Sequence, residues 1–451
     1  MNMSNQEPRI LIVNGQSVYD KNATGITLQS ICSDFQTNSL LEVYYSMGDS
    51  LNQCDNKIKS FRLSPKTVPL NYLIRKMLGR NRIENYNSGI KTIDVRSREA
   101  KKNTKVKVKS FILGLISNSP VIIKDKAILE EMDRFSPEVI YTLGADIIPL
   151  KLARHFSKRY NDIPILLHYM DNWPQTKYAE FGIQKVFYRK LHKLLLEIQN
   201  SNKVALVISE KMACEYDKRF SPVHHLVLMN SVQMNDSYDS SINNKYECKQ
   251  DCVFFSYLGG LHLNRDKQLL EIQKGIADFN CTDTKTAVKL RIYTSKKDRD
   301  RFETEFDSEI TEFCEYVEHE KVFQEYKKAD VLVHIESFDQ DLIEFTKYSV
   351  STKISEYMFS GKPILLYAPK EIAVYQYIED CECGVSVCDK FGMHKAIERL
   401  VSDSIYREQL GERGVKNALK KHTVETAYQT LLIACGELLS QSKVGRKLNA
   451  E

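Results

Sequence analysis

The sequence predicts an α/β protein made of two doubly wound, Rossmann-like domains facing a cleft, and three observations carry that prediction. Short apolar runs, among them Arg9–Val13, Val139–Thr142, Val253–Leu258 and Val331–Ile335, recur along the chain with helix-patterned stretches between them. These runs are apolar at consecutive positions rather than alternating, as strands buried on both faces of a parallel sheet must be. The series is interrupted once, at residues 233–250, which are rich in Asn and Ser and show no periodicity. A chain of 451 residues also exceeds one ordinary core. The expected domains are residues 1–240 and 250–420, with a helical tail, 421–451, packing back on the first.

The elements follow in order. Arg9–Val13 is a strand, a polar loop holds Gly15 and Gly25, and a helix covers Thr27–Phe35. Leu41–Tyr45 is a strand and residues 70–80 an amphipathic basic helix. Val139–Thr142 and Ile163–His168 are strands with a helix between them. A long helix spans Lys185–Asn200, then come strands at Val204–Ser209 and Leu226–Met229. The second series reads strand Val253–Leu258, helix from Lys267, strand Lys289–Tyr293, helix near Asp298–Ser308, strand Val331–Ile335, the short helix carrying Lys353, and strand Pro363–Leu366. From His394 to Ser440 the spacing is helical.

Composition narrows the function classes. No apolar run approaches the roughly 20 residues of a membrane span, and no signal pattern opens the chain, so a cytoplasmic location is expected, with attachment to the inner face of the membrane. Eleven cysteines stand at scattered spacings without a CxxC pair, which reads as reduced, structural thiols. The net charge of +5 conceals an asymmetry: residues 57–126 hold 18 Lys or Arg against four acids, a local +14. Such a block is either a solvated insertion or a surface for an anionic partner such as lipid headgroups, nucleic acid or a phosphorylated substrate.

In open parallel sheets ligands bind beyond the carboxyl ends of the strands, so the loops there are the places to search. Gly25 lies in a small-residue loop that could present backbone N–H groups to an anion. His168 ends a strand and precedes Asp171 and Trp173, and would line the cleft as a hydrogen-bonding group. Gly259 and Gly260 follow the first strand of the second domain, where glycine allows close backbone approach. Arg265 and Lys267 open the next helix, where the dipole adds to their charge and suits a diphosphate. Glu336 ends another strand. Glu356, with Lys353 one turn before it, sits on a short helix before Gly361-Lys362-Pro363, a good place to hold sugar or ribose hydroxyls. Glu336 and Glu344 have E-x7-E spacing and Asp339-Gln-Asp341 is a DxD, but both fall in what reads as a polar loop, 339–350, so no metal site is expected.

The blocks Tyr257-Leu-Gly-Gly, Ser351-Thr-Lys-Ile-Ser-Glu-Tyr and Ser360-Gly-Lys-Pro-Ile, in this order and spacing, resemble the GT-B glycosyltransferases, and within them the retaining family 4 enzymes of bacterial surface-polysaccharide synthesis. The resemblance implies two Rossmann-like domains, a nucleotide-sugar donor held mainly by the second, a lipid-linked or glycan acceptor, and no cofactor or metal. Its residues carry over as Arg265 on the donor diphosphate with Lys267 second, Glu356 on the ribose, Glu336 facing the donor sugar, His168 near the transferred sugar and Gly25 near the phosphates. Candidate catalytic residues are then His168, Arg265 and Glu336, and donor-binding ones Gly25, Gly259, Lys267, Lys353 and Glu356. Two departures stand out: Gly260 replaces a frequent Arg, and the two glutamates are 20 residues apart rather than eight, which reads as a loop insertion and makes Glu344 a decoy.

Two other readings use the same residues. A nucleotide-sugar epimerase of this fold would need no acceptor. A non-catalytic protein would use the basic block for nucleic acid and bind it in a salt-sensitive way. The glycosyltransferase reading expects no nucleic acid and places residues 70–109 on an anionic membrane surface.

Overall fold

A computed structural model describes residues 7–20, 22–46, 57–78, 119–172, 184–233, 252–282 and 286–448. Trp173, the Lys101–Lys109 run and most of the 233–250 linker lie outside the described residues. The chain divides into two compact units: residues 1–229 with 427–451, and residues 230–426.

In unit 1, β1 (Ile10–Asn14), β2 (Leu40–Tyr44), β3 (Lys59–Arg62), β4 (Val139–Leu143), β5 (Ile165–Tyr169), β6 (Val204–Val207) and β7 (His224–Val227) form one parallel sheet. Its order is β3-β2-β1-β4-β5-β6-β7. Every residue of β1, β4 and β5 is buried, which is why their sequences are continuously apolar. The helices are α1 (Ala23–Cys32), α2 (Pro69–Leu78), α3 (Lys126–Phe135), α4 (Ile147–Arg159), α5 (Gln184–Ser201) and α6 (Glu210–Arg219).

In unit 2, β8 (Cys252–Leu258), β9 (Ala287–Tyr293), β10 (Thr311–Cys314), β11 (Val331–Ile335), β12 (Ile364–Tyr367) and β13 (Gly384–Val387) form a second parallel sheet, ordered β10-β9-β8-β11-β12-β13. Its helices are α7 (Arg265–Asn280), α8 (Lys296–Phe302), α9 (His319–Lys328), α10 (Gln340–Thr346), α11 (Thr352–Phe359), α12 (Ala373–Cys381), α13 (Lys390–Ser402) and α14 (Ser404–Lys421). The last helix, α15 (Val424–Leu448), sets Ala427, Leu431, Ala434, Cys435 and Leu438 into the core of unit 1. That spacing is one helical stripe.

Two expectations are corrected. Residues 339–350 are not a loop, because α10 occupies Gln340–Thr346 and buries Leu342 and Ile343, an apolar pair hidden by polar neighbours. The first helix starts at Ala23 rather than Thr27, because the Asn22 side chain caps it by accepting the Gly25 N–H at 3.0 Å.

Strand order reverses between β1 and β4 in unit 1 and between β8 and β11 in unit 2. At such a reversal the loops leave the two strands in opposite directions and open a crevice at their carboxyl ends.

Candidate functional site

The chemistry-bearing residues of unit 2 converge on the β8/β11 reversal. Gly259 leaves the end of β8 and Glu336 the end of β11. Before α7, Leu263 and Asn264 take left-handed φ values of 63° and 58°, a tight reversal that Asn tolerates and Leu ordinarily avoids. The turn delivers Arg265 to Glu336, with Nη2 at 3.2 Å from Oε1 and 3.3 Å from Oε2. Their side chains are only 12% and 7% exposed, so each needs the other. Burial alone would raise the Glu336 carboxyl, but the guanidinium wins and holds it at about 2. Burial likewise disfavours the Arg265 cation, and Glu336 more than offsets this, leaving it firmly protonated. His334 places Nε2 3.2 Å from Glu336 Oε1, and burial keeps its ring below the usual histidine range.

Lys353 enters from the first turn of α11. Its Nζ stands 5.3 Å from the centroid of the Tyr257 ring, in the notch that Gly259 leaves open. A Cβ on Gly259 would lie 2.0 Å from that Nζ and 3.0 Å from the Tyr257 hydroxyl. A side chain here would displace the lysine ammonium from its notch, and Tyr257 is held by donating to Gly260 O at 2.8 Å. Burial, with Arg265 nearby, brings the Lys353 ammonium down to about 7. Among the described residues no carboxylate lies within ion-pair distance of it. Glu356, one turn further along α11, is 13% exposed and accepts from His319 Nε2 at 3.1 Å and from the Tyr326 hydroxyl at 2.8 Å.

Other candidates sit at the margin. Lys267 is 57% exposed, with Nζ 3.9 Å from Asp339, whose carboxylate also accepts from Asn264. Asp339 thus serves a turn and a surface ion pair. Glu344 lies on α10, 3.3 Å from Lys347.

Gly25 and His168 belong to unit 1, and neither offers a ligand a free polar edge. The Gly25 N–H is consumed by the Asn22 cap, and a Cβ there would meet Asp20 O at 1.9 Å, so this glycine serves the packing of the turn. His168 is fully buried within β5. Its Nε2 donates to Leu228 O at 3.1 Å and its Nδ1 accepts from the Tyr141 hydroxyl at 2.7 Å, a pairing that fixes the tautomer. Burial lowers the ring to about 4. The expectation that His168 lines a site is therefore corrected: it is a satisfied core histidine.

Sequence reasoning missed Tyr257, His334, His319 and Tyr326. One signal was available: His319 and Tyr326 are seven residues apart on α9 and share its face.

Residues 280–433 match a family model described as glycosyl transferase-like. No curated protein matches the chain. Among solved structures, Anabaena HepE in complex with UDP is similar at TM-score 0.57 and 12% identity, covering 95% of this chain and 100% of that one. Sucrose-phosphate synthase of Thermosynechococcus elongatus is similar at TM-score 0.54 and 13% identity, over 99% and 100%. An E. coli trehalose-6-phosphate protein bound with UDP-2-fluoro glucose is similar at TM-score 0.61 and 10% identity, over 94% and 99%. With two parallel sheets flanked by helices, each reversing its strand order once, the chain has the two-domain Rossmann-like fold of the GT-B glycosyltransferases.

Proposed function

We propose that this chain is a glycosyltransferase that moves a hexosyl group from a nucleoside-diphosphate sugar to a lipid-linked or glycan acceptor, with retention and without a metal, in cell-surface polysaccharide synthesis. The observation that carries the reading is Lys353: a second cation beside Arg265, at the strand-order reversal, with no carboxylate in ion-pair range among the described residues. A half-buried ammonium next to a guanidinium is unfavourable until an anion arrives, and a diphosphate supplies one. UDP and a UDP-sugar analogue in similarly folded proteins support that ligand class.

In the reaction the bond between sugar C1 and the diphosphate oxygen breaks, and its electron pair stays on the diphosphate. The acceptor hydroxyl forms the new bond to C1 from the same face and passes its proton to the departing phosphate oxygen. Arg265 and Lys353 stabilise the charge that builds on the leaving group. Glu336 fixes Arg265 and faces the sugar, while Glu356 holds the ribose hydroxyls. The basic residues within 70–109 hold the enzyme on anionic lipid, each charge near the surface adding about 1 kcal/mol.

Calorimetric titration with UDP, GDP and ADP tests this. The bound diphosphate returns Lys353 to its charged form, so binding takes up a proton near pH 7 and weakens as pH rises above it. Lys353→Met should remove the proton uptake and cost at least about tenfold in affinity. Gly259→Ala should do the same by driving Nζ out of its notch. Unchanged affinity in both variants would remove the site.

A further inference from the structure

Glu356 is fastened before any ligand arrives. Each of its two oxygens receives one hydrogen bond from α9: Oε1 from His319 Nε2 at 3.1 Å, Oε2 from the Tyr326 hydroxyl at 2.8 Å. The donors are two helical turns apart on one face of α9, so a single rigid element clamps both ends of the carboxylate. Tyr326 is 2% exposed, and its ring meets Tyr357 of α11 edge-on at 5.0 Å between centroids, which locks the two helices together at this point. His319, by contrast, has a side chain that is 56% exposed. An exposed imidazole contributes little to packing, so its alignment on Glu356 calls for another explanation.

A carboxylate accepts about four hydrogen bonds, two per oxygen. With one on each oxygen already taken by α9, the plane of the group is set and one acceptor direction per oxygen remains. Two parallel acceptors at the spacing of a carboxylate match two vicinal hydroxyls. We propose that His319 and Tyr326 are positioning residues that hold Glu356 ready for a cis-diol, and that this clamp makes the site select ribonucleotides over 2′-deoxyribonucleotides. The inference rests on the reading of Glu356 as the ribose-binding group. Preorganisation is the physical gain: a carboxylate free to rotate must be ordered on binding, and that cost comes out of the affinity.

The alternative is structural. A buried phenol hydroxyl needs an acceptor, and Glu356 would be that acceptor and nothing more. The two roles separate by readout. The quantity to measure is the affinity ratio between each of UDP, GDP and ADP and its 2′-deoxy counterpart, by calorimetry on the full chain, with urea unfolding as a parallel measure. Tyr326→Phe keeps the ring and removes the hydroxyl. It should cut the ribo/deoxy ratio by about tenfold, the usual worth of one hydrogen bond to a charged group. His319→Ala should lower the ratio several-fold, and His319→Gln, which keeps a donor, should restore it.

Glu356→Gln reports on the underlying reading. If it leaves the ratio unchanged, or if no nucleotide binds the wild type, Glu356 is not the ribose group and the reading itself fails. If Glu356→Gln collapses the ratio while Tyr326→Phe and His319→Ala preserve it, the site stands and the clamp is overturned. Loss of stability in Tyr326→Phe with an unchanged ratio overturns the clamp as well.

Discussion

At the scale of single residues, the Arg265–Glu336 pair decides how the β8/β11 crevice responds to change. Both groups are nearly enclosed, so removing one leaves the other charged and desolvated. Arg265→Ala should lose roughly 3 kcal/mol of stability along with nucleotide binding. The double variant Arg265→Met with Glu336→Gln should be more stable than Arg265→Ala while binding no nucleotide, since no buried charge is left without a partner. Urea unfolding of the two variants checks this, and equal midpoints would show that the pair is not coupled. These two residues were legible in the sequence because Glu336 directly follows a strand and Arg265 opens the helix that comes after one. Lys353 was legible as a donor-binding candidate on a short helix, without its neighbours. Its role depends on Gly259, 94 positions earlier, which leaves the space its Nζ fills.

At the scale of elements, the strands that the sequence hides are the edges of the sheets. β3, β10 and β13 were not expected, and β7 was expected two residues late; in the strand orders these four are the outermost strands. An inner strand is covered on both faces and reads as an apolar run, whereas β3 is Lys-Ser-Phe-Arg and β10 is Thr-Glu-Phe-Cys. An edge strand contacts one neighbour and tolerates polar residues, so its sequence resembles a loop. α10 was hidden for a similar reason, with two buried apolar residues among polar ones. α15 is the opposite case, because its apolar stripe is evident in the sequence while its destination is not. Leu431 is 2% exposed within the core that also holds Ile31 and Phe35. Leu431→Ala should therefore destabilise unit 1 by about 3 kcal/mol. A change under about 1 kcal/mol in denaturant unfolding would mean that α15 does not carry that core.

At the scale of the whole molecule, buried histidines set a pH limit on the fold, among them His168 in unit 1 and His422 in unit 2. His168 bonds Tyr141 and Leu228 within unit 1. His422 donates to Asn230 O at 2.9 Å and accepts from the Tyr377 hydroxyl at 2.7 Å within unit 2. Burial lowers both to about 4 from an ordinary 6.5. Between those values the unfolded chain takes up protons that the native state refuses, so stability is complete above pH 6.5 and falls as pH drops toward 4. Each group accounts for about 3 kcal/mol over that range. Glu42 opposes them. It is buried in β2 among Ser17, Val18 and Ser60, and burial raises it to about 7, so it favours the native state below that pH. Urea midpoints measured from pH 7 to 4 should fall, and a His422→Gln variant should show a shallower slope; a slope equal to that of the wild type would show that His422 does not contribute.

The sequence by itself determined the α/β class, the inner strands and the carboxyl-end positions of Arg265 and Glu336, because burial on both faces and strand-end placement leave local marks. Tertiary structure decided the rest. It showed that His168, a histidine at a strand terminus like any exposed one, is closed off by Tyr141 and the Leu228 carbonyl, groups 27 and 60 residues away. It also set the partners of Glu356, which arrive from α9, 37 and 30 residues earlier in the chain. Whether a polar group is satisfied or left for a ligand depends on which distant segments close around it, and only the folded chain brings those segments together.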